Sequence, residues 1–250
     1  MHRYKIVLEY DGTPFVGWQR QKEGLSVQGI LEEAILRLIG TSFPTLQVAG
    51  RTDAGVHALG QVCHVDLPKN YPPFVLCNAL NAHLRDLLPY TAISILNTQE
   101  VSNEFHARFS AQKRSYLYRI FNHRSPPALE RNRVHHVPAH LDEESMQRGA
   151  NFLLGTHDFS TFRAKECQAN SPLKTLDKLE IQRQGDILNI WVESKSFLHH
   201  QVRNMVGTLI LVGLKKWTPL DVQAALEARD RIKGGPTAPP YGLYLTKVTY

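Results

Sequence analysis

The sequence predicts an α+β protein of two ferredoxin-like, RRM-like halves, each an antiparallel sheet carrying helices. Two observations predict this. Apolar spacing switches between a period of two and a period near four in the order β-α-β-β-α-β, the split pattern of a ferredoxin-like unit. That order then recurs loosely in the second half of the chain. The boundary is expected within "NEFHARFSAQKR" near residues 105–112, giving halves 1–107 and 108–250.

The first run, "YKIVLEYD", places Ile6, Leu8 and Tyr10 on one face of a strand that ends at an Asp11-Gly12 turn. In "SVQGILEEAILRLIG", Val27, Ile30, Leu31, Ala34, Ile35 and Leu38 form one helical stripe, with Ser26 as N-cap and Gly40 as stop. Strands are expected over Leu46–Ala49, Gln61–Leu67 and Thr91–Leu96, with a helix over Phe74–Leu88 between the last two. In the second half "SYLYRIFN" alternates as a strand, and Glu143–Leu154 reads as a helix stopped by Gly155. "LDKLEIQRQGDILNIWVES" is a hairpin turning near Gln184–Asp186. A helix from about Phe197 to Val212 follows, then one opened by Thr218-Pro219, and "GLYLTKVTY" closes the second half as a strand.

The 250 residues are 42% hydrophobic, enough for a core, and carry 29 Lys+Arg against 23 Asp+Glu, a net charge of +6. A basic balance favours a polyanionic partner, because each cation set against a phosphate releases counterions. The longest apolar stretch, Met205–Leu214, is far short of the roughly 20 residues of a spanning helix. The amino terminus alternates like a strand and lacks a signal peptide's apolar core. Cys63, Cys77 and Cys167 form no disulfide framework and fit reduced thiols, so a cytoplasmic location without membrane attachment is expected.

Four stretches carry candidate chemistry. In "GRTDAGVHA", Asp53 reads first as a turn residue, since Asp often bonds its own backbone. Yet Arg51 lies two positions before it, and Gly50 and Gly55 allow a ligand close to the backbone. In "FLHHQVRNMVG", Arg203 is flanked by apolar Val202, Met205 and Val206. Either it snorkels to the surface or it meets a carboxylate. A pairing with Asp53 would keep that acid ionised and aimed. In "KRSYLYRIF", Tyr116 and Tyr118 share a strand face and suit packing, base stacking or proton transfer. In "YDGTPFVGWQRQ", Phe15 and Trp18 alternate with Gln19, Arg20 and Gln21, as a stacking and phosphate-binding loop would, although one buried Trp explains it too.

Twelve histidines raise the possibility of a metal, but neighbours such as His135-His136 and His199-His200 point in different directions, and no Cys-x-x-Cys pair occurs. No metal site is expected. There is no Gly-rich phosphate loop and no nucleophile elbow.

Taken together, "YDGTPFVGWQRQ", "GRTDAGVHA", "FHARFSA", "GTHDFSTFRA", "FLHHQVRNMVG" and "APPYGLYL" resemble the tRNA pseudouridine synthase A family along almost the whole chain. The resemblance implies the pseudouridine synthase fold around a central cleft and a cofactor-free isomerase. It would form pseudouridine at positions 38, 39 and 40 of the tRNA anticodon stem-loop. It implies Asp53 as the catalytic aspartate, Tyr116 as the active-site tyrosine, Arg203 as the arginine paired with the acid, and a homodimer. Arg20, Arg51, Arg114, Trp18 and His57 are the expected RNA contacts. His135-His136 depart from the family, which would place an aromatic residue there.

The target base must leave its stack to reach Asp53. A rival reading, a non-catalytic RNA-binding or chaperone protein of two RRM-like modules, explains the charge and the aromatics. It does not explain a carboxylate set in a phosphate-binding surface. A metal hydrolase using the histidines is a third class, and chelation would reveal it.

Overall fold

The computed structural model describes residues 1–40 and 45–250. These form two compact units, Met1–Gln112 with Tyr244–Tyr250, and Lys113–Leu243. No helix among the described residues is long and apolar enough to cross a membrane.

In the first unit, β1 (His2–Tyr10) buries Tyr4, Ile6, Leu8 and Tyr10, the alternate positions of a strand with one face on a core. α1 (Val27–Ile39) begins where the Ser26 side chain accepts the Gly29 N–H. It ends at Gly40, whose φ of 64° suits a residue without Cβ. Val27, Leu31, Ala34 and Ile35 fill the buried stripe. β2 (Gln47–Val48) and β3 (His57–Leu67) follow, then α2 (Pro73–Leu87), which buries Leu76, Leu80 and Leu84, and β4 (Ile93–Val101).

β1 runs antiparallel between β3 and β4, and β2 is antiparallel to β3 at Val48↔Cys63. The order β4-β1-β3-β2 is the ferredoxin-like arrangement expected for this half. The register holds one irregularity. Leu8 faces Gln61 but Tyr10 faces Ala58, so β3 carries an extra residue around Leu59–Gly60. Such a bulge turns neighbouring side chains and often lies beside a functional site.

In the second unit, β5 (Lys113–Phe121) pairs in parallel with the short β6 (His135–His136). α3 (Glu143–Asn151), β7 (Gly155–Asp158), β8 (Leu173–Gln184) and β9 (Ile187–Ser194) come next. The sheet order is β5-β9-β8-β7, antiparallel throughout. The expected β8–β9 hairpin turns at Gly185, φ 60°. α4 (Gln201–Gly213) is almost wholly buried, and α3 packs against it and against α5 (Pro219–Ala228).

Three sequence expectations change. The last strand, β10 (Leu243–Thr249), was expected to complete the second half, but its residues from Tyr244 onward belong to the first unit. It adds in parallel to β3 at Tyr244↔His57 and Leu245↔Ala58, a pairing between distant residues that local pattern does not encode. α4 starts at Gln201 rather than Phe197, because His200 takes a left-handed φ of 61° and the helix begins only after it. β7 was not expected; its four residues are too few to show a period.

Candidate active site

Asp53 belongs to the loop joining β2 and β3, and the loop following β1 holds it by backbone contacts. Trp18 N–H donates to Thr52 O at 3.0 Å, Gly17 bridges to Asp53, and Gly55 N–H donates to Phe15 O at 3.3 Å. Within the turn itself Val56 N–H closes on Asp53 O at 3.2 Å. Gly17 has φ 111°, and a Cβ there would stand 2.7 Å from Thr52 O. Gly12 is equally constrained, with its missing Cβ 2.1 Å from Val56 O. The glycines of "YDGTPFVGW" therefore let two loops press together backbone to backbone. Asp53 itself is half-buried.

The remaining first-unit candidates divide. Arg51 is exposed. Arg20 is exposed as a residue, and its guanidinium is paired with the buried Glu32. Trp18, expected as a stacking platform, is a core residue only 1% exposed, beside Tyr10. Its ring is used in packing, so the buried-Trp alternative replaces the RNA contact. His57, also expected to touch RNA, is 2% exposed. Its Nδ1 accepts the Gly12 N–H at 2.9 Å and lies 3.2 Å from Asp11 Oδ1, while its ring stacks on Tyr244. It is an internal brace of the same loop pair.

In the second unit Tyr116 is half-buried on β5, with its ring edge-on to Phe197 at 5.1 Å. Tyr118 on the same strand is fully buried and donates its hydroxyl to Pro239 O at 2.9 Å. Burial raises its pKa well above the ordinary phenol value, so it stays protonated and structural. Arg114, an expected phosphate contact, is 8% exposed and donates Nη1 to Lys195 O at 2.6 Å. This bond braces the end of β5.

Arg203 is half-buried. The chain at 234–238 lies across α4, and Arg203 is bonded to it twice: Nε donates to Ala238 O at 2.8 Å, and Arg203 O accepts Ala238 N–H at 3.1 Å. Thr208 Oγ1 accepts Gly235 N–H at 2.9 Å, and Arg231 donates to Gly235 O and Asn204 Oδ1. The approach is possible because position 207 is glycine, whose Cβ would stand 1.7 Å from Pro236 O. This gives "APPYGLYL" a physical reading that spacing alone did not supply. Ala238 aims Arg203, Pro239 holds Tyr118, and Gly242 leaves room for the Tyr118 ring, which a Cβ would meet at 2.8 Å.

Where the resemblance led to the expectation of an aromatic residue, His135 sits edge-on to Tyr118 and Tyr241, at 6.1 and 6.5 Å. Burial first, and then the His136 charge, lower its pKa to about 4. Its Nδ1 is buried without a hydrogen-bond partner, as is Gln201 Nε2 at the start of α4.

A family model described as tRNA pseudouridine synthase matches residues 6–110 and 150–250, which include the Asp53 loop and the Arg203 helix but not Tyr116. The chain belongs to the tRNA pseudouridine synthase A family. Proteins called tRNA pseudouridine synthase A match all of it: 59% identity with that of Paramagnetospirillum magneticum, over 96% of that protein. The identity is 54% with that of Rhizobium leguminosarum bv. trifolii, over 92%, and 52% with that of Bartonella tribocorum, over 100%. A solved chain from a structure titled "Crystal Structure of a Cbf5-Nop10-Gar1 Complex" aligns with 97% of this chain and 48% of its own length. Its TM-score of 0.39 and 10% identity are too low to add to the assignment.

Proposed function

We propose that this protein isomerises uridine to pseudouridine at positions 38, 39 and 40 in the anticodon stem-loop of tRNA, with Asp53 as the reactive carboxylate. As a member of its family it is an isomerase acting on tRNA. The observation carrying the assignment to Asp53 is the local geometry. One acid stands in a loop whose backbone is bonded on both sides of it, by Trp18 N–H at Thr52 and by Val56 N–H at its own carbonyl.

The reaction breaks the N1–C1′ bond, turns the uracil, and joins C5 to C1′; the C5 proton is lost and N1 gains one, so no redox partner is needed. A carboxylate can add to base or sugar, or take a sugar proton, and later leave. Arg203, aimed by Ala238, is proposed to orient the Asp53 carboxylate. Tyr116 is proposed to stack on the uracil and assist removal of the C5 proton. Arg51 and Arg20 are proposed to hold phosphates while the base is extruded, a step costing a few kcal/mol in a paired stem. The protein is proposed to act in the cytoplasm as a homodimer, as the family resemblance implies.

Mapping pseudouridine in tRNA from cells lacking this protein tests the reading. Positions 38–40 should be unmodified, and adding back the wild-type protein should restore them. Unchanged modification at all three positions in the deleted cells would overturn it.

A further inference from the structure

Three buried polar side chains meet at the Asp53 loop where apolar ones would satisfy the fold. Tyr10, Thr52 and Gln61 are 4%, 7% and 0% exposed. Gln61 stands on β3 among Val62, Cys63, Val65 and Leu67, in a strand that packs as a core element. Burying an amide among such neighbours is unfavourable unless each of its groups is bonded. Here each is. Gln61 Nε2 donates to Gly50 O at 2.8 Å and to the Tyr10 hydroxyl oxygen at 3.3 Å, and Oε1 accepts the Val62 N–H at 3.1 Å. The Tyr10 and Thr52 hydroxyls share a bond of 2.8 Å. Gly50 and Thr52 are the third and first residues before Asp53, and both are tied to this one buried cluster.

We propose that Tyr10, Thr52 and Gln61 are a positioning network that fixes the backbone entering Asp53 and so sets where its carboxylate stands for the reaction. The inference rests on Asp53 being the reactive carboxylate. The β3 bulge at Leu59–Gly60 supports it, because the extra residue lies between Gln61 and the partner of Tyr10 in the ladder. Gly60 also lets β10 approach there, since a Cβ would stand 2.5 Å from Thr246 O. Nothing in the network faces a ligand: all three groups are buried and none is a cation. The network therefore bears on chemistry rather than on tRNA affinity. A carboxylate displaced by a fraction of an ångström still permits binding but misses the reacting atom, and such displacements lower rates steeply.

The test measures kcat and KM for tRNA carrying tritium at uridine C5, on purified full-length protein. Thr52→Val keeps the shape and removes the hydroxyl, Thr52→Ser restores it, and Tyr10→Phe removes its partner. Expected for Thr52→Val and Tyr10→Phe is a kcat lower by about 10- to 100-fold with KM within about threefold of wild type. Thr52→Ser should recover most of the loss. The proposal is overturned if kcat stays within about twofold of wild type, if the loss lies in KM, or if Ser fails to rescue. It is equally overturned if Thr52→Val and Tyr10→Phe both fail to fold, because the network's role is then structural. Asp53→Asn, assayed alongside, separates the two readings: if that variant turns over normally, the assignment of Asp53 falls, whatever the network variants do.

Discussion

A methyl group at position 207 would stand 1.7 Å from the Pro236 carbonyl oxygen and 3.3 Å from Ala238 N, both backbone atoms that cannot swing aside. Gly207→Ala is therefore expected to lift the 234–238 segment off α4, breaking both bonds between Arg203 and Ala238. The loss should be on the order of 1–3 kcal/mol or more. A urea midpoint unchanged from wild type would show that the segment does not need this contact. The same residue-by-residue view separates the basic candidates. Arg51 is exposed and suited to a phosphate, whereas Arg114 is occupied with Lys195 O inside the fold. Sequence alone ranked them equally because a charged side chain looks the same whether it faces solvent or braces a strand end. Trp18 and His57 are buried for a reason the motif does not show: it names the residue but not the side of the loop it faces.

At the scale of strands, two histidines make stability depend on pH. His64 on β3 is 3% exposed, and its Nδ1 accepts the Ala107 N–H at 3.1 Å. Burial first, then the charges of Arg3 and His106, lower its pKa to about 4. His135 on β6 is likewise near 4. In the unfolded chain both protonate near 6.5, so between pH 6.5 and 4 the unfolded state binds more protons than the native one. Their contribution is complete above pH 6.5 and is lost as pH falls toward 4, on the order of 2 kcal/mol per histidine at pH 5. Urea midpoints should drop from pH 7 to pH 5, and His64→Gln should flatten that drop; equal midpoints at the two pH values would contradict the assignment. The elements themselves were largely legible. α1 and its two caps, the β8–β9 hairpin and the Thr218-Pro219 helix start follow from periodicity and local hydrogen bonding. What was not legible depends on distant partners: β10 joining β3, and the bulge beside Gln61 in its ladder with β1. The start of α4 was missed because nothing in "FLHHQVRN" marks His200 as left-handed.

For the whole molecule, the net charge of +6 and the family assignment point the same way. The first unit follows the expected order β4-β1-β3-β2, while the second shares its β-α-β plan with an added β7 and a long buried α4. Positive charge draws tRNA to the protein but cannot isomerise a base; that task is the one proposed for the Asp53 carboxylate. Tritium release from C5-labelled tRNA by Asp53→Asn tests this most directly, since the substitution keeps the side chain's shape and removes its charge. The variant is expected to bind tRNA as the wild type does and to release no tritium. Sustained release at the wild-type rate would contradict the account.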